Sequence, residues 1–224
     1  MTDPATADIC AHVVDEKSLP TTVHGRVTTV TECQTTQQAI TSEKWLEAPD
    51  KFREEVLTVD EWGDIETGLD ALNPFDTMDF GGVGSFFVQN GAKALNYNDA
   101  QNTSKVFNFD SAEGVSVMTS SLIERVVSEV FDVSTEGAAT VTGRDCHVLF
   151  STPTDSADAL SSRIDTYCLW VDQEYGYPLK QKYEYQLQER AFVVRREFEE
   201  IGFDNEIVDG VFDCTPPEGS TVID

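Results

Sequence analysis

Three histidines, five cysteines and 41 carboxylates are the groups in this chain that could carry chemistry. Their spacing argues against most of it. His12, His24 and His147 fall on three separate predicted elements, and none has a partner at metal-ligand spacing. Cys10, Cys33, Cys146, Cys168 and Cys214 contain no CxxC pair, so metal and thioredoxin-like readings are weak. No G-x-S-x-G elbow occurs, although a Ser–His–Asp set could still assemble in space. Gly81-Gly82-Val83-Gly84-Ser85 leads into a strand, whereas phosphate cradles lead into a helix N-terminus, so it reads as a flexible connection. Carboxylates are so common that a chance pair carries no weight for a glycosidase, and no D-x-[DN]-x-[DN]-G calcium loop is present. The expectation is a non-enzymatic protein with no catalytic residue, metal or cofactor. A hydrolase would need a clustered nucleophile and base, which the sequence does not display.

Two covalent features stay open. Cys146 and Cys168 sit in two strand-like segments joined by a loop. A bridge between them would contribute about 3 kcal/mol in the loop-entropy picture, and buried reduced thiols are the alternative. Asn102-Thr103-Ser104 is an N-x-[ST] triplet in a predicted turn, and Asn102 is a glycan site only if the protein is exported.

The charge balance is lopsided: 41 acids against 15 bases give a net charge of -26. The acids are dispersed along the whole chain. Self-repulsion on that scale opposes compaction, and salt relieves it, which fits a salt-adapted source. Nucleic acid is disfavoured as a partner, because Arg190, Arg195 and Arg196, the nearest thing to a basic patch, lie among Glu189, Glu197, Glu199 and Glu200. No apolar run approaches the roughly 20 residues of a membrane span, so no transmembrane segment is expected. The first ten residues hold no apolar h-region. The chain therefore reads as soluble, either cytoplasmic or separated from its export signal.

Strand patterns dominate. Residues 4–18 suggest a short helix with Ile9, Val13 and Val14 on one side. Val- and Thr-rich strands follow at 24–33, 37–46 and 52–59. Residues 60–84 look irregular, with a helical turn near 65–72. Asn90-Gly91 joins two strands as a hairpin, and 105–110 is another strand. Leu122, Val126, Val127, Val130 and Phe131 recur at helical spacing and predict an amphipathic helix over 120–131. It is either a permanent part of the core or a lid that admits an acyl chain. Strands return at 137–143, 144–152, 165–172, 179–188 and 191–203, with a short polar helix between Cys146 and Cys168. Hairpin-length connections imply antiparallel neighbours. A sheet of that many twisted strands must curl, and helices inside the curve would cover its apolar face.

Four segments, taken in order, resemble the LolA family of periplasmic lipoprotein carriers and the related LolB and RseB-type proteins. KWLEAPDKFREEV (44–56) looks like the family's strand–Pro–x–x–Phe segment through Trp45, Pro49 and Phe52. FVQNGAKALNYN (87–98) is similar to its "dG…lW.Y" hairpin through Asn90-Gly91, Leu95 and Tyr97. LWVDQEYGYPLKQKYEY (169–185) matches a strand, a Gly-x-Pro turn and a strand. GVFDCTPPEGSTVID (210–224) resembles the closing "F.f.pP.G..v" strand through Phe212, Pro216, Pro217, Gly219 and Val222. The resemblance implies an unclosed, bent antiparallel half-barrel with helices as a lid and a concave face that receives acyl chains. Two positions depart from it. The basic residue that bacterial carriers place before the proline, which holds their lid shut, aligns with Ala48, and the aromatic of "lW.Y" aligns with Asn96.

The combined reading is an α+β, mostly β fold: one large curved antiparallel sheet, an unclosed half-barrel, with helices covering its concave face. Residues 1–20 form an N-terminal helical segment and residues 21–224 the half-barrel. The expected function is binding or carriage of lipid or lipidated protein, with an RseB-like sensor or interaction module as the alternative. Expected partners are a lipid or acylated protein and a membrane-bound partner, outside the cytoplasmic membrane, in an organism such as a haloarchaeon. The expected cavity lining is Phe87, Phe107, Phe109, Val126, Val130, Phe131, Val148, Phe150, Leu169, Val171, Tyr183 and Tyr185, at about 0.8 kcal/mol per buried CH₂.

Overall fold

A computed structural model describes residues 4–14, 19–62, 82–109, 130–155, 163–187 and 190–223. Its elements are α1 (Pro4–Val14), β1 (Thr22–Cys33), β2 (Thr36–Glu47), β3 (Lys51–Trp62), β4 (Phe86–Asn90), β5 (Lys93–Asn98), β6 (Thr103–Asn108), β7 (Phe131–Val141), β8 (Arg144–Pro153), β9 (Ile164–Asp172), β10 (Pro178–Leu187), β11 (Arg190–Phe203) and β12 (Thr221–Ile223). All twelve strands form one sheet in the order β12-β6-β5-β4-β3-β2-β1-β11-β10-β9-β8-β7. Two meanders, β1–β6 and β7–β11, are thus joined side by side through β1 and β11. That ladder runs from Val23↔Phe203 to Cys33↔Phe192 with a bulge at Arg26/Val27. All pairs are antiparallel except β12 with β6.

Local sequence explains the turns. Asn90-Gly91 makes the β4–β5 connection with Gly91 at φ 60, a conformation that glycine adopts without steric cost. Gly25 has a different reason. A Cβ there would lie 2.3 Å from the Glu200 carbonyl oxygen, so only glycine lets β1 and β11 approach at their bulge.

Side chains from one face meet across strands that are not neighbours. Arg196 on β11 reaches Glu54 on β3, with β1 and β2 between them. On a flat sheet those backbones would stand about 14 Å apart. The face carrying these residues is therefore the inside of a strongly curved sheet. From the registers, Phe52, Phe87, Leu169, Tyr183 and Phe198 all point to it.

Several expectations are corrected here. Among the described residues one helix packs on the sheet, α1, rather than a set covering the concave face. It lies at the β7 end, where Val13 is buried in the cluster, Ile9 and Cys10 pack against it, and the Thr6 and Thr135 hydroxyls meet at 2.7 Å. A Cβ on Gly176 would come within 2.8 Å of the His12 carbonyl oxygen, so the end of α1 rests directly on the β9–β10 turn. The predicted amphipathic helix over 120–131 falls outside the described residues up to 129. Its last residue, Phe131, opens strand β7 instead. The predicted turns near 65–72 and the polar helix after Cys146 also lie outside them.

The Cys146–Cys168 bridge does not form: both are free thiols. The β8–β9 register pairs Cys146 with Asp172 and Phe150 with Cys168. The two cysteines are four ladder positions apart, about 13 Å, and a disulfide needs Cα atoms within roughly 7 Å.

Candidate ligand-binding face

The concave face carries three apolar clusters in sequence across the sheet. At the β7–β11 end, Phe131, Val133, Leu149, Ile164, Tyr167, Leu169, Val171, Tyr183, Tyr185, Phe192 and Val194 pack beneath Val13 of α1. Four rings run through this cluster as a ladder. Tyr167 and Tyr183 stack at 5.6 Å, Tyr183 and Tyr185 meet tilted at 6.0 Å, and Tyr185 and Phe192 stack at 4.9 Å. Burial pushes the Tyr167 and Tyr185 phenols up, so both stay protonated, and Tyr167 donates to the Gln181 side-chain oxygen. The middle cluster joins Val23, Val27, Leu179, Phe198 and Tyr177. The third, on β3–β6, is Phe52, Phe87 and Ala94, with Phe107 and Phe109 packed against them.

Most of the predicted lining residues sit on this face, though not in one pocket. Phe87, Phe107 and Phe109 belong to the β3–β6 cluster. Phe131, Leu169, Val171, Tyr183 and Tyr185 belong to the β7–β11 cluster, with Val130 packed at its edge. Val126 lies outside the described residues. Val148 and Phe150 point the other way: Leu149 pairs with the inward Leu169, which turns its two neighbours to the convex side. A strand face inverts with a one-residue slip, and Val148-Leu149-Phe150 is an unbroken apolar run whose parity the sequence does not mark. Asn102 sits in the β5–β6 turn at φ 49, where its Nδ2 donates to the Gly219 carbonyl at 3.0 Å and its Oδ1 accepts from the Tyr97 hydroxyl.

The three histidines do not converge. His12 is on α1. His24 stacks on Trp45 at 5.3 Å and meets Glu43 on the convex side, and His147 is on β8. Among the described residues no group of three His, Cys, Asp or Glu side chains could hold a metal. No described helix is long and apolar enough to cross a membrane, which says nothing about strands.

Comparison with known proteins decides the architecture. No protein-family model matches the chain, and no curated sequence does. Solved structures do. An uncharacterized conserved protein from Thermus thermophilus superposes with a TM-score of 0.55 at 12% identity, over 98% of each chain. MucB superposes with a TM-score of 0.53 at 15% identity, over 99% of this chain and 67% of MucB. The chain shares the fold of these two proteins. A second MucB structure, in complex with MucA(peri), gives 0.51 at 16% identity over 94% of this chain and 60% of that one. The chain thus spans about two-thirds of MucB's length.

Within this fold, the concave face holds polar groups that the hydrophobic pattern did not predict. Arg196 Nη2 donates to both Glu54 oxygens at 2.7 Å, and the Glu54 side chain is 2% exposed. Lys44 stands directly opposite Glu54 in the β2–β3 ladder. Its Nζ lies 5.3 Å from the Phe52 ring centroid, 5.9 Å from Phe198 and 6.0 Å from Tyr177. The side-chain oxygens of Gln89 and Asn96 are buried and accept no hydrogen bond among the described residues. A charged residue in a strand reads by default as part of the acidic coat. The one sequence signal that could have placed these is period two, because Lys44, Glu54 and Asn96 share parity with Leu46, Phe52 and Ala94.

Proposed function

We propose that this chain is a non-enzymatic binding or carrier protein for lipid or lipidated protein. It takes the hydrocarbon on its concave face and works outside the cytoplasmic membrane. The observation that carries the reading is the character of that face. Three apolar clusters, rich in Phe and Tyr, follow one another across a curved sheet, and among the described residues no group of three His, Cys, Asp or Glu side chains gathers there. Burial of CH₂ groups at about 0.8 kcal/mol each binds a long chain without catalytic help. Phe87, Phe107, Phe109, Leu169, Val171 and Tyr183 are the proposed contacts. A haloarchaeal or otherwise salt-adapted source remains the reading of the acidic coat.

The test is native mass spectrometry of protein purified in high salt, followed by lipid extraction and by incubation with acyl amphiphiles. A stoichiometric lipid or acylated peptide is the expected result. A clean apo mass with no uptake overturns the carrier reading.

One observation favours a second reading. MucB, among the structures of similar fold, is known in complex with MucA(peri). The chain would then be a sensor or interaction module that recognises a membrane-bound partner. An apo mass together with saturable binding of an envelope protein would support it.

A further inference from the structure

The concave face departs from the charge balance of the rest of the molecule. Along β1–β6 and β9–β11, the inward ladder positions hold two carboxylates, Glu54 and Glu61, and four cations, Lys44, Lys105, Arg190 and Arg196. The chain as a whole carries 41 acids and 15 bases. Glu54 is fully engaged by Arg196, and Glu61 accepts from Gln38. Lys44, Glu54 and Arg196 therefore form a neighbourhood of net charge +1 inside a protein of net charge -26.

Lys44 is the cation left over. It is half-buried among Phe52, Phe198 and Tyr177, and no carboxylate lies within ion-pair distance of it among the described residues. A half-buried ammonium among aromatic rings is partly stabilised by their faces, but an anion in the same place would be worth more. The cation also lies between two apolar clusters, since Phe52 belongs to one and Phe198 and Tyr177 to the next. A chain bound along either cluster would have its end within reach of Nζ.

Resting on the carrier reading above, we propose that Lys44 anchors the head of the ligand. The ligand class it selects is a single hydrocarbon chain ending in a carboxylate. One unpaired ammonium balances one negative charge. A phosphate head carries up to two charges and is better served by a guanidinium fork, and Arg196 already commits its Nη2 to Glu54. The occupant is thus an anionic amphiphile, complementary in charge to Lys44 and in polarity to the clusters on either side.

The test compares oleate, oleyl alcohol and oleyl phosphate by calorimetry at one fixed salt concentration, on the wild type and on Lys44→Met and Lys44→Arg. Lys44→Met keeps the length and apolar stem of the side chain. The proposal expects oleate to bind the wild type at least tenfold more tightly than the alcohol. Lys44→Met should erase that preference while leaving the alcohol's affinity within about twofold, and Lys44→Arg should restore most of it. Equal binding of oleate and alcohol to the wild type overturns the anchor but leaves the carrier reading standing. A preference for phosphate over carboxylate overturns the head-group assignment. No binding of any of the three overturns the carrier reading itself. Circular dichroism and melting curves of each variant separate lost binding from lost folding.

Discussion

The two wings of the sheet bury their apolar surface differently. In the β7–β11 wing the larger described core is on the concave side, beneath α1, and Cys146, Val141 and Trp170 add a smaller patch on the other face. Its convex side carries ion pairs and their aromatic supports, such as Lys180 with Glu197 at 2.6 Å and over the Trp170 ring at 5.2 Å, and Arg195 with Glu32 at 2.7 Å. The β2–β6 wing has a core on each side. Phe52, Phe87 and Ala94 lie inside. Outside, the segment after β11 lays Phe212 and Cys214 over Val88 and Leu95, with Trp45, Phe86 and Val106 around them. Arg53 and Asn90 hold that segment through the Val211 and Phe212 carbonyls. A wing covered from outside does not need an unbroken apolar interior. It can keep Lys44, Gln89 and Asn96 on its concave side, whereas β9 places Tyr167, Leu169 and Val171 there.

The largest expected effect comes from cutting the tie between the wings. Arg196→Met leaves Glu54 buried without its partner and should cost about 3–5 kcal/mol. Adding Glu54→Leu should recover most of that loss. Chemical denaturation at constant high salt measures both. If the single variant costs less than about 1 kcal/mol, the wings are not held together through this pair.

Next comes the outer core of the β2–β6 wing. Phe212→Ala removes a ring that is 7% exposed and should cost about 3 kcal/mol. Amide exchange should then speed up in β4–β6 while β8–β10 keep their protection. Uniform loss of protection would mean that the two wings open as one unit.

The smallest effect is the pH response of the β7–β11 wing. Burial pulls the Asp172 carboxyl up, but hydrogen bonds from Arg144 and from the Tyr175 and Glu174 backbone amides outweigh it and hold it below its ordinary range. A carboxylate whose folded pKa is depressed stabilises the fold above its unfolded pKa and loses that contribution as pH falls through the folded value. The melting temperature should therefore drop more steeply below about pH 4 in the wild type than in Asp172→Asn. Parallel curves for the two proteins would show that Asp172 contributes nothing to acid sensitivity.

The same contrast explains what could be read from sequence. Strands with clean alternation gave their inward faces correctly: Leu169 and Val171 on β9, and Tyr183 and Tyr185 on β10, share the concave side. The Asn90-Gly91 hairpin was legible because a tight turn leaves a dipeptide signature. Strand β8 was not, since Val148, Leu149 and Phe150 are all apolar and burial alone distinguishes the middle one. The order in which the two meanders join was also out of reach. It depends on β1 meeting β11 across more than 150 residues of chain, and no local pattern records that.

That join has a consequence for synthesis. β1 leaves the ribosome well before β11, the strand that completes its other edge, because β2–β10 are made between them. Until then the nascent first meander has an open flank of Val and Thr, the kind of edge to which another chain can add. The ladder at the centre of the finished sheet is thus the last of the large ones to zip. Folding should be slow for a chain with so many short hairpins, and it should be gated by the arrival of β11 rather than by any one turn.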